Sequence, residues 1–222
     1  MAVFNLLIPI YPYCGLAGCT IIVLAVIFSG LSYHGKRGEP YSVFNHFISE
    51  LGERGISDRA DVFNLGLIAG GLILIPFSLG LGSEVGGTWA LLGGLAGVVT
   101  AGACAFVGIF PMNNLSAHTI AAMTYFRAGL LMVLLFTLAI ALQPEEKTVV
   151  PKLSFFFGLA TCAAYIAFLA LLRGGNVSQQ ISDSFNPDVL PERPHYWALP
   201  AVEWAVFFST VLWFFGIALF VV

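Results

Sequence analysis

Charged side chains are scarce in this sequence. Only 9% of its 222 residues are Asp, Glu, Lys or Arg, whereas 59% are hydrophobic. A soluble domain of ordinary composition carries about 25% charged residues, so the composition argues against a water-soluble fold. The formal net charge is −3. Because nucleic-acid binding needs a basic surface, the sequence indicates no nucleic-acid partner.

Signals for a known chemistry are missing as well. The four cysteines all lie in apolar runs and none has CxxC spacing, which is typical of buried small side chains. No Gly-rich phosphate loop precedes a Lys, and neither HExxH nor GxSxG occurs. The N-terminus has no basic segment before its first apolar run, so we expect that run to be a retained span rather than a cleaved signal.

What the sequence does contain is six long apolar runs. Each is close to the roughly 20 residues needed to cross a bilayer, and a segment inside lipid must be helical to satisfy its backbone. The sequence therefore predicts an all-α integral membrane bundle of six transmembrane helices, forming one domain over residues 1–222. The predicted spans are residues 11–32, 62–81, 88–110, 118–142, 153–172 and 199–222.

Two small-residue stripes lie inside these spans. Gly66 and Gly70 are four residues apart in the second span, and Gly93 and Gly97 are four apart in the third. Such spacing lets helix backbones approach closely. We interpret both stripes as packing surfaces within the chain.

The polar residues are concentrated in alternate connectors. With six spans, the first, third and fifth connectors share one face of the membrane, and all four histidines and nine of the twelve acidic residues belong to that face. We therefore place the function on this face. Its excess of Lys and Arg favours a cytoplasmic position, and we expect the protein in the cell membrane.

The first connector predicts a short amphipathic helix within residues 40–52, either at the membrane interface or folded onto the mouth of the bundle. His46 and Glu50 are four residues apart, so their side chains can meet. They suit a solvated helix face, a base with its orienting partner, or two metal ligands. The apolar side of this helix would consist of Val43, Phe44, Phe47, Ile48 and Leu51.

Arg127 lies well inside the fourth span, where an unpaired charge is costly. It can form an ion pair that joins two helices, or line a polar cavity that receives an anionic group. We expect Arg127 to point into the bundle, with Glu203 as its first candidate partner. His118 begins the same span, with Ser116 as a plausible N-cap.

These residues support three hypotheses. The first is a polar mouth that binds the headgroup of a membrane lipid or similar amphiphile. The second is an intramembrane hydrolase with Zn²⁺ held by His46, His118, His195 and Glu50. The third is an accessory subunit with a membrane-protein partner, or a homo-oligomer. The lipid-binding candidates are Arg127, Glu50, His46, His118, Glu203, Asn113 and Asn114.

Short motifs in chain order carry a family resemblance. The stretch FNHFISELG at residues 44–52, followed by FNLG at 63–66 and VGIFP at 107–111, resembles an uncharacterised six-span family, domain of unknown function 998. The segment ISELG is also similar to the first connector of the autophagy-modulator and GPI-anchor-remodelling membrane families. The resemblance implies a six-helix membrane fold. The distant relatives imply lipid handling and a first connector that faces away from the cytosol.

Overall fold

Six long α-helices dominate the computed structural model, which describes residues 9–174 and 193–222. All six are long and apolar enough to cross a membrane, and the described ranges contain no named strand. The all-α prediction is confirmed, and the helix bounds lie within four residues of the predicted spans. The helices are α1 (Tyr11–Leu31), α2 (Ala60–Val85), α3 (Gly87–Ile109), α4 (Leu115–Ala141), α5 (Ser154–Leu172) and α6 (Ala198–Val221).

The ends of these helices follow local chemistry. Pro12 lies in the first turn of α1, where a missing N–H costs little. Gly86 and Gly87 have φ angles of 70° and 75°, which allows a tight turn between α2 and α3. The N-cap of α4 is Asn114, whose side chain accepts the N–H of Ala117, so the assignment of Ser116 is wrong.

The helices form a closed ring. Each packs against its neighbours in sequence, and α6 returns to α1. The helices differ in length: α4 has 27 residues and α5 only 19. Because the ring closes on itself, its interior can hold a cavity that several helices line together.

Glycines bring α2 close to both of its neighbours. A methyl group at Gly66 would collide with Cβ of Ala25 on α1, and one at Gly71 would lie 2.7 Å from the carbonyl oxygen of Ala101 on α3. Gly97 lies equally close to Ser78 of α2. The small-residue stripes therefore pack helices within the chain, as predicted.

The first connector covers one end of the ring. We call residues 33–59 the cap. The short helix predicted within residues 40–52 is present as a single 3-10 segment, Ile48–Gly52, and the rest of that stretch is not helical. The polar side chains expected to face water, His46 and Glu50, are 2% and 1% exposed, whereas Phe44 is 57% exposed. The predicted faces are wrong because both polar residues find partners inside the protein.

Candidate functional site

A buried ion pair fixes the cap to the segment that precedes α6. Arg193 donates from Nη1 to Oε1 of Glu50 at 3.0 Å and from Nη2 to Oε2 at 2.5 Å. The Glu50 carboxylate also accepts the N–H of Phe47 at 2.8 Å. Burial raises the pKa of Glu50, and the facing guanidinium limits that rise. The pair joins residues 143 positions apart and connects the cap to the segment that precedes α6.

His46 lies beside this pair. Its Nδ1 is 2.7 Å from the side-chain oxygen of Asn45, whose amide nitrogen donates to Pro194, and it also lies 3.3 Å from the backbone nitrogen of Ser42, which donates to it. Nε2 is buried, has no hydrogen bond to a residue in 9–174 or 193–222, and lies 3.7 Å from Oε1 of Glu39. Burial, and then the charge of Arg193, lower the pKa of His46 from 6.5 to about 4. The cap therefore holds a neutral imidazole at neutral pH.

Aromatic groups surround the same imidazole. The rings of Tyr33 and Tyr41 lie 5.4 and 5.1 Å from it, measured between centroids. The indole of Trp204 on α6 donates to the backbone oxygen of His46 at 3.1 Å and approaches the Tyr41 hydroxyl at 3.2 Å. The cap thus rests on the first turns of α6.

Acidification should weaken this arrangement. Between pH 6.5 and about 4 the unfolded chain binds a proton at His46 and the folded protein does not. The free energy of unfolding must then fall as the pH falls through this window. We expect the melting temperature of the wild type to drop more steeply over this range than that of His46→Asn, which keeps a polar side chain at this position but has no imidazole to protonate. Parallel slopes for the two proteins would contradict a lowered pKa of His46 in the folded protein.

Glu203 lies directly beneath the cap. It is 6% exposed, and its Oε2 accepts the N–H of Ile48 at 2.8 Å. Its other oxygen, Oε1, has no hydrogen bond within the described ranges. The expected pairing of Glu203 with Arg127 is wrong, since the carboxylate binds a backbone amide of the cap instead.

The interior of the ring holds a cavity of about 110 Å³. Its walls are mostly apolar, and polar groups of the cap and the upper helices meet at the covered end: Ser49, His118 and Glu203. Tyr125, Thr100 and Thr210 lie further along the wall. The apolar lining includes Ile22, Leu67, Leu74, Phe126, Val206, Phe207 and Phe214.

His118 is held in one orientation. It is 5% exposed, and its Nδ1 is 2.9 Å from the carbonyl oxygen of Phe110. A carbonyl can only accept, so Nδ1 must carry the proton and Nε2 has the lone pair when the ring is neutral. The structure therefore brings two of the predicted site residues, His118 and Glu203, to one cavity.

Arg127 does not belong to this cavity. Its side chain is exposed on the outer surface of α4, and it has no ion pair with any described residue. The expectation that it points into the bundle is wrong. The adjacent Phe126 packs on Phe168 of α5 with ring centroids 4.1 Å apart, and Phe168 lies five residues before Arg173, which ends α5. At 1.5 Å per residue Phe168 lies about 7.5 Å along the helix from that end, and the flexible stem of the neighbouring Arg127 can extend in that direction.

The remaining predicted residues have other positions. Asn113 accepts the N–H of Arg54 and donates to its carbonyl oxygen, at 2.8 and 2.9 Å, so it ties the third connector to the cap. Asn114 caps α4, and His195 is exposed. Residues 9–174 and 193–222 contain no group of three His, Cys, Asp or Glu side chains placed to hold a metal. The zinc hypothesis remains a prediction.

Sequence reasoning missed Arg193 and Ser49. Arg193 is one of several basic residues on the polar face, and only the burial of Glu50 identifies it as the partner. Ser49 lies between His46 and Glu50 in the first connector, so its position next to these two candidates could have identified it.

Comparison with known proteins tests the family resemblance. Among curated proteins and solved structures, none matches this chain. The similarity to the autophagy-modulator and GPI-remodelling families therefore stays a prediction. A family model described as "Protein of unknown function (DUF998)" matches residues 16–219, which includes all six helices in whole or in large part. The chain belongs to the DUF998 family, and its six helices are long and apolar enough to cross a membrane.

Proposed function

We propose that this protein binds a membrane amphiphile inside the helix ring, beneath the cap. The observation that carries the proposal is the cavity, which is apolar along its length and polar at its covered end. Small-molecule sites typically combine an apolar wall with a few convergent polar groups. An apolar chain would lie among the helices, and the headgroup would meet Ser49, His118 and Glu203.

The size of the cavity suits part of an acyl chain or a ring. An engineered apolar cavity of about 150 Å³ stays dry and binds benzene. The cavity here is of that order, about 110 Å³. Most of its lining is aliphatic or aromatic, so filling it with hydrocarbon removes apolar surface from contact with water or empty space.

The cap explains how such a ligand would be retained. Ile48 and Ser49 line the cavity from above, and the neighbouring Glu50 is fixed by Arg193. The residues of the buried pair thus hold the cover in place rather than contacting the ligand. Arg127, which lies on the outer surface, is left out of this proposed site.

A cavity-filling variant tests the proposal. Ala122 on α4 lines the cavity, and Ala122→Phe would put a phenyl ring into a space that holds little more than one. We expect the amount of co-purified lipid, measured by native mass spectrometry of gently extracted protein, to fall about tenfold or more. A polarity-sensitive apolar dye should lose its binding to the same extent.

The matched control is Ile120→Phe, two residues away on the same helix. Ile120 is 68% exposed, so the added ring points away from the cavity. It should leave lipid and dye binding unchanged. Equal retention by Ala122→Phe and the wild type, with both folded, would refute the proposal. The same spectra would reveal Zn²⁺ or a stoichiometric protein partner, as the hydrolase and subunit hypotheses require.

A further inference from the structure

We infer that Arg127 binds the phosphate group of an anionic membrane lipid on the outer surface of the ring, where α4 packs against α5. This site is separate from the cavity, and it does not depend on the proposed function. Three observations carry the inference: the direction of Arg127, the lack of acidic residues in the helices around it, and a second arginine at the end of α5. An ionisable residue within an apolar span is rarely placed there without a partner of opposite charge.

Arg127 belongs to the face of α4 that is turned toward lipid. Ile120, Thr124, Arg127, Leu131 and Leu134 follow one another at intervals of three or four residues, and all five are exposed. Residues at this spacing share one face of a helix. At 1.5 Å per residue Arg127 is about 18 Å from the first residue of α4, well inside the span. Its charge therefore lies at the boundary between protein and lipid.

The helices around this position supply no counter-charge. The helical segments of α3, α4 and α5 contain neither Asp nor Glu. Arg127 forms no ion pair with a residue in 9–174 or 193–222. An unpaired charge within a span is costly, so an anion at this surface would stabilise Arg127 and would meet no like charge from the three helices. The phosphate of a lipid headgroup is the anion that the membrane itself supplies.

The end of α5 indicates where the guanidinium can meet a headgroup. Phe126 packs on Phe168, which lies about 7.5 Å along α5 from Arg173, the exposed residue at the end of that helix. The long apolar stem of Arg127 can extend toward that level while its charged end reaches the headgroups. A guanidinium binds phosphate through two parallel hydrogen bonds. Arg173 adds a second positive charge at the same end, which favours a headgroup of net negative charge over a zwitterionic one.

A titration with two lipids tests this inference. The full chain is depleted of lipid in a non-ionic detergent, phosphatidylglycerol or phosphatidylcholine with identical acyl chains is added, and bound lipid is counted by native mass spectrometry. We expect phosphatidylglycerol to bind about fivefold more tightly, or more, which is the effect of one basic residue near an anionic headgroup. An excess of inorganic phosphate should not displace it, and displacement would assign the site to a soluble anion and overturn the inference. Equal binding of the two lipids by the wild type would overturn it as well.

Arg127→Gln identifies the residue responsible. It removes the charge from an exposed position, so the protein should fold and the preference for phosphatidylglycerol should fall about fivefold, to near parity. The matched control is Arg37→Gln, which removes a positive charge from an exposed residue of the cap and should keep the preference. An unchanged preference in Arg127→Gln, or an equal loss in Arg37→Gln, would overturn the inference.

The same titration of Ala122→Phe separates this site from the cavity. The added ring fills the cavity, so a preference that survives in Ala122→Phe belongs to the outer surface and supports the inference. A preference that disappears in Ala122→Phe would belong to lipid inside the ring. That outcome would overturn the site at Arg127 and leave the proposed function intact.

Discussion

Replacing Glu50 with alanine should lower the free energy of unfolding by about 3–5 kcal/mol, because it strands the Arg193 guanidinium in the closed cap. The carboxylate is 1% exposed and accepts three short hydrogen bonds, two from Arg193 and one from the N–H of Phe47. The Arg193 side chain is 20% exposed and can partly regain water, which favours the lower end of this range. Thermal unfolding in detergent, followed by tryptophan fluorescence, measures the change.

The chain offers a matched control. Arg54 and Asp61 form an ion pair at 2.9 Å with side chains 57% and 73% exposed. Removing such a surface pair with Asp61→Ala should cost at most about 1 kcal/mol. The double substitution Glu50→Leu with Arg193→Met should recover most of the loss, since apolar residues replace a buried pair with little penalty. A Glu50→Ala protein no less stable than Asp61→Ala would show that the pair does not hold the cap.

A single methyl group at Gly71 should destabilise the bundle by about 3 kcal/mol. The added Cβ would lie 2.7 Å from the carbonyl oxygen of Ala101 and 2.9 Å from the backbone nitrogen of Ala105. Backbone atoms cannot change rotamer, so α2 and α3 must separate and lose contacts along their length. Overpacking of this kind costs about 1–3 kcal/mol, and the rigid neighbours place Gly71→Ala at the upper end.

The same substitution at Gly102 should have the opposite sign. A Cβ there has no neighbour within 4 Å, and alanine is about 0.5–1 kcal/mol better than glycine inside a helix. Comparing the melting temperatures of Gly71→Ala and Gly102→Ala therefore isolates the helix contact from helix propensity. A destabilisation of similar size at both positions would mean that the contact between Gly71 and α3 is not responsible.

The helices could be predicted from the sequence because lipid leaves the backbone no alternative. A long apolar run must be helical, so the spans and their order followed directly. The stripe of Gly66 and Gly70 also predicted close packing correctly. The contact between Gly71 and α3 has no spacing signal of its own. Which neighbour a glycine faces depends on the rotation of its helix, and the sequence does not give that rotation.

The site was harder to predict for two physical reasons. The pairing of Glu50 with Arg193 joins segments 143 residues apart, and several basic residues on the polar face were equally plausible partners. The direction of Arg127 depends on the rotational phase of α4. That helix is apolar on its inner and its lipid-facing sides, so hydrophobic periodicity does not distinguish them. By contrast, His118 and Glu203 were correctly placed at the polar end of their helices.

The unequal lengths of α4 and α5 have a consequence for the surrounding lipid. At 1.5 Å per residue, the 27 residues of α4 extend about 40 Å and the 19 residues of α5 about 28 Å. The bundle therefore presents an uneven hydrophobic thickness around its circumference, smallest beside α5. A bilayer relieves such hydrophobic mismatch by thinning locally, which brings headgroups down toward the exposed guanidinium of Arg127. We expect the annular lipid beside α5 to be thinner than elsewhere, and the protein to favour membranes in which that thinning costs least.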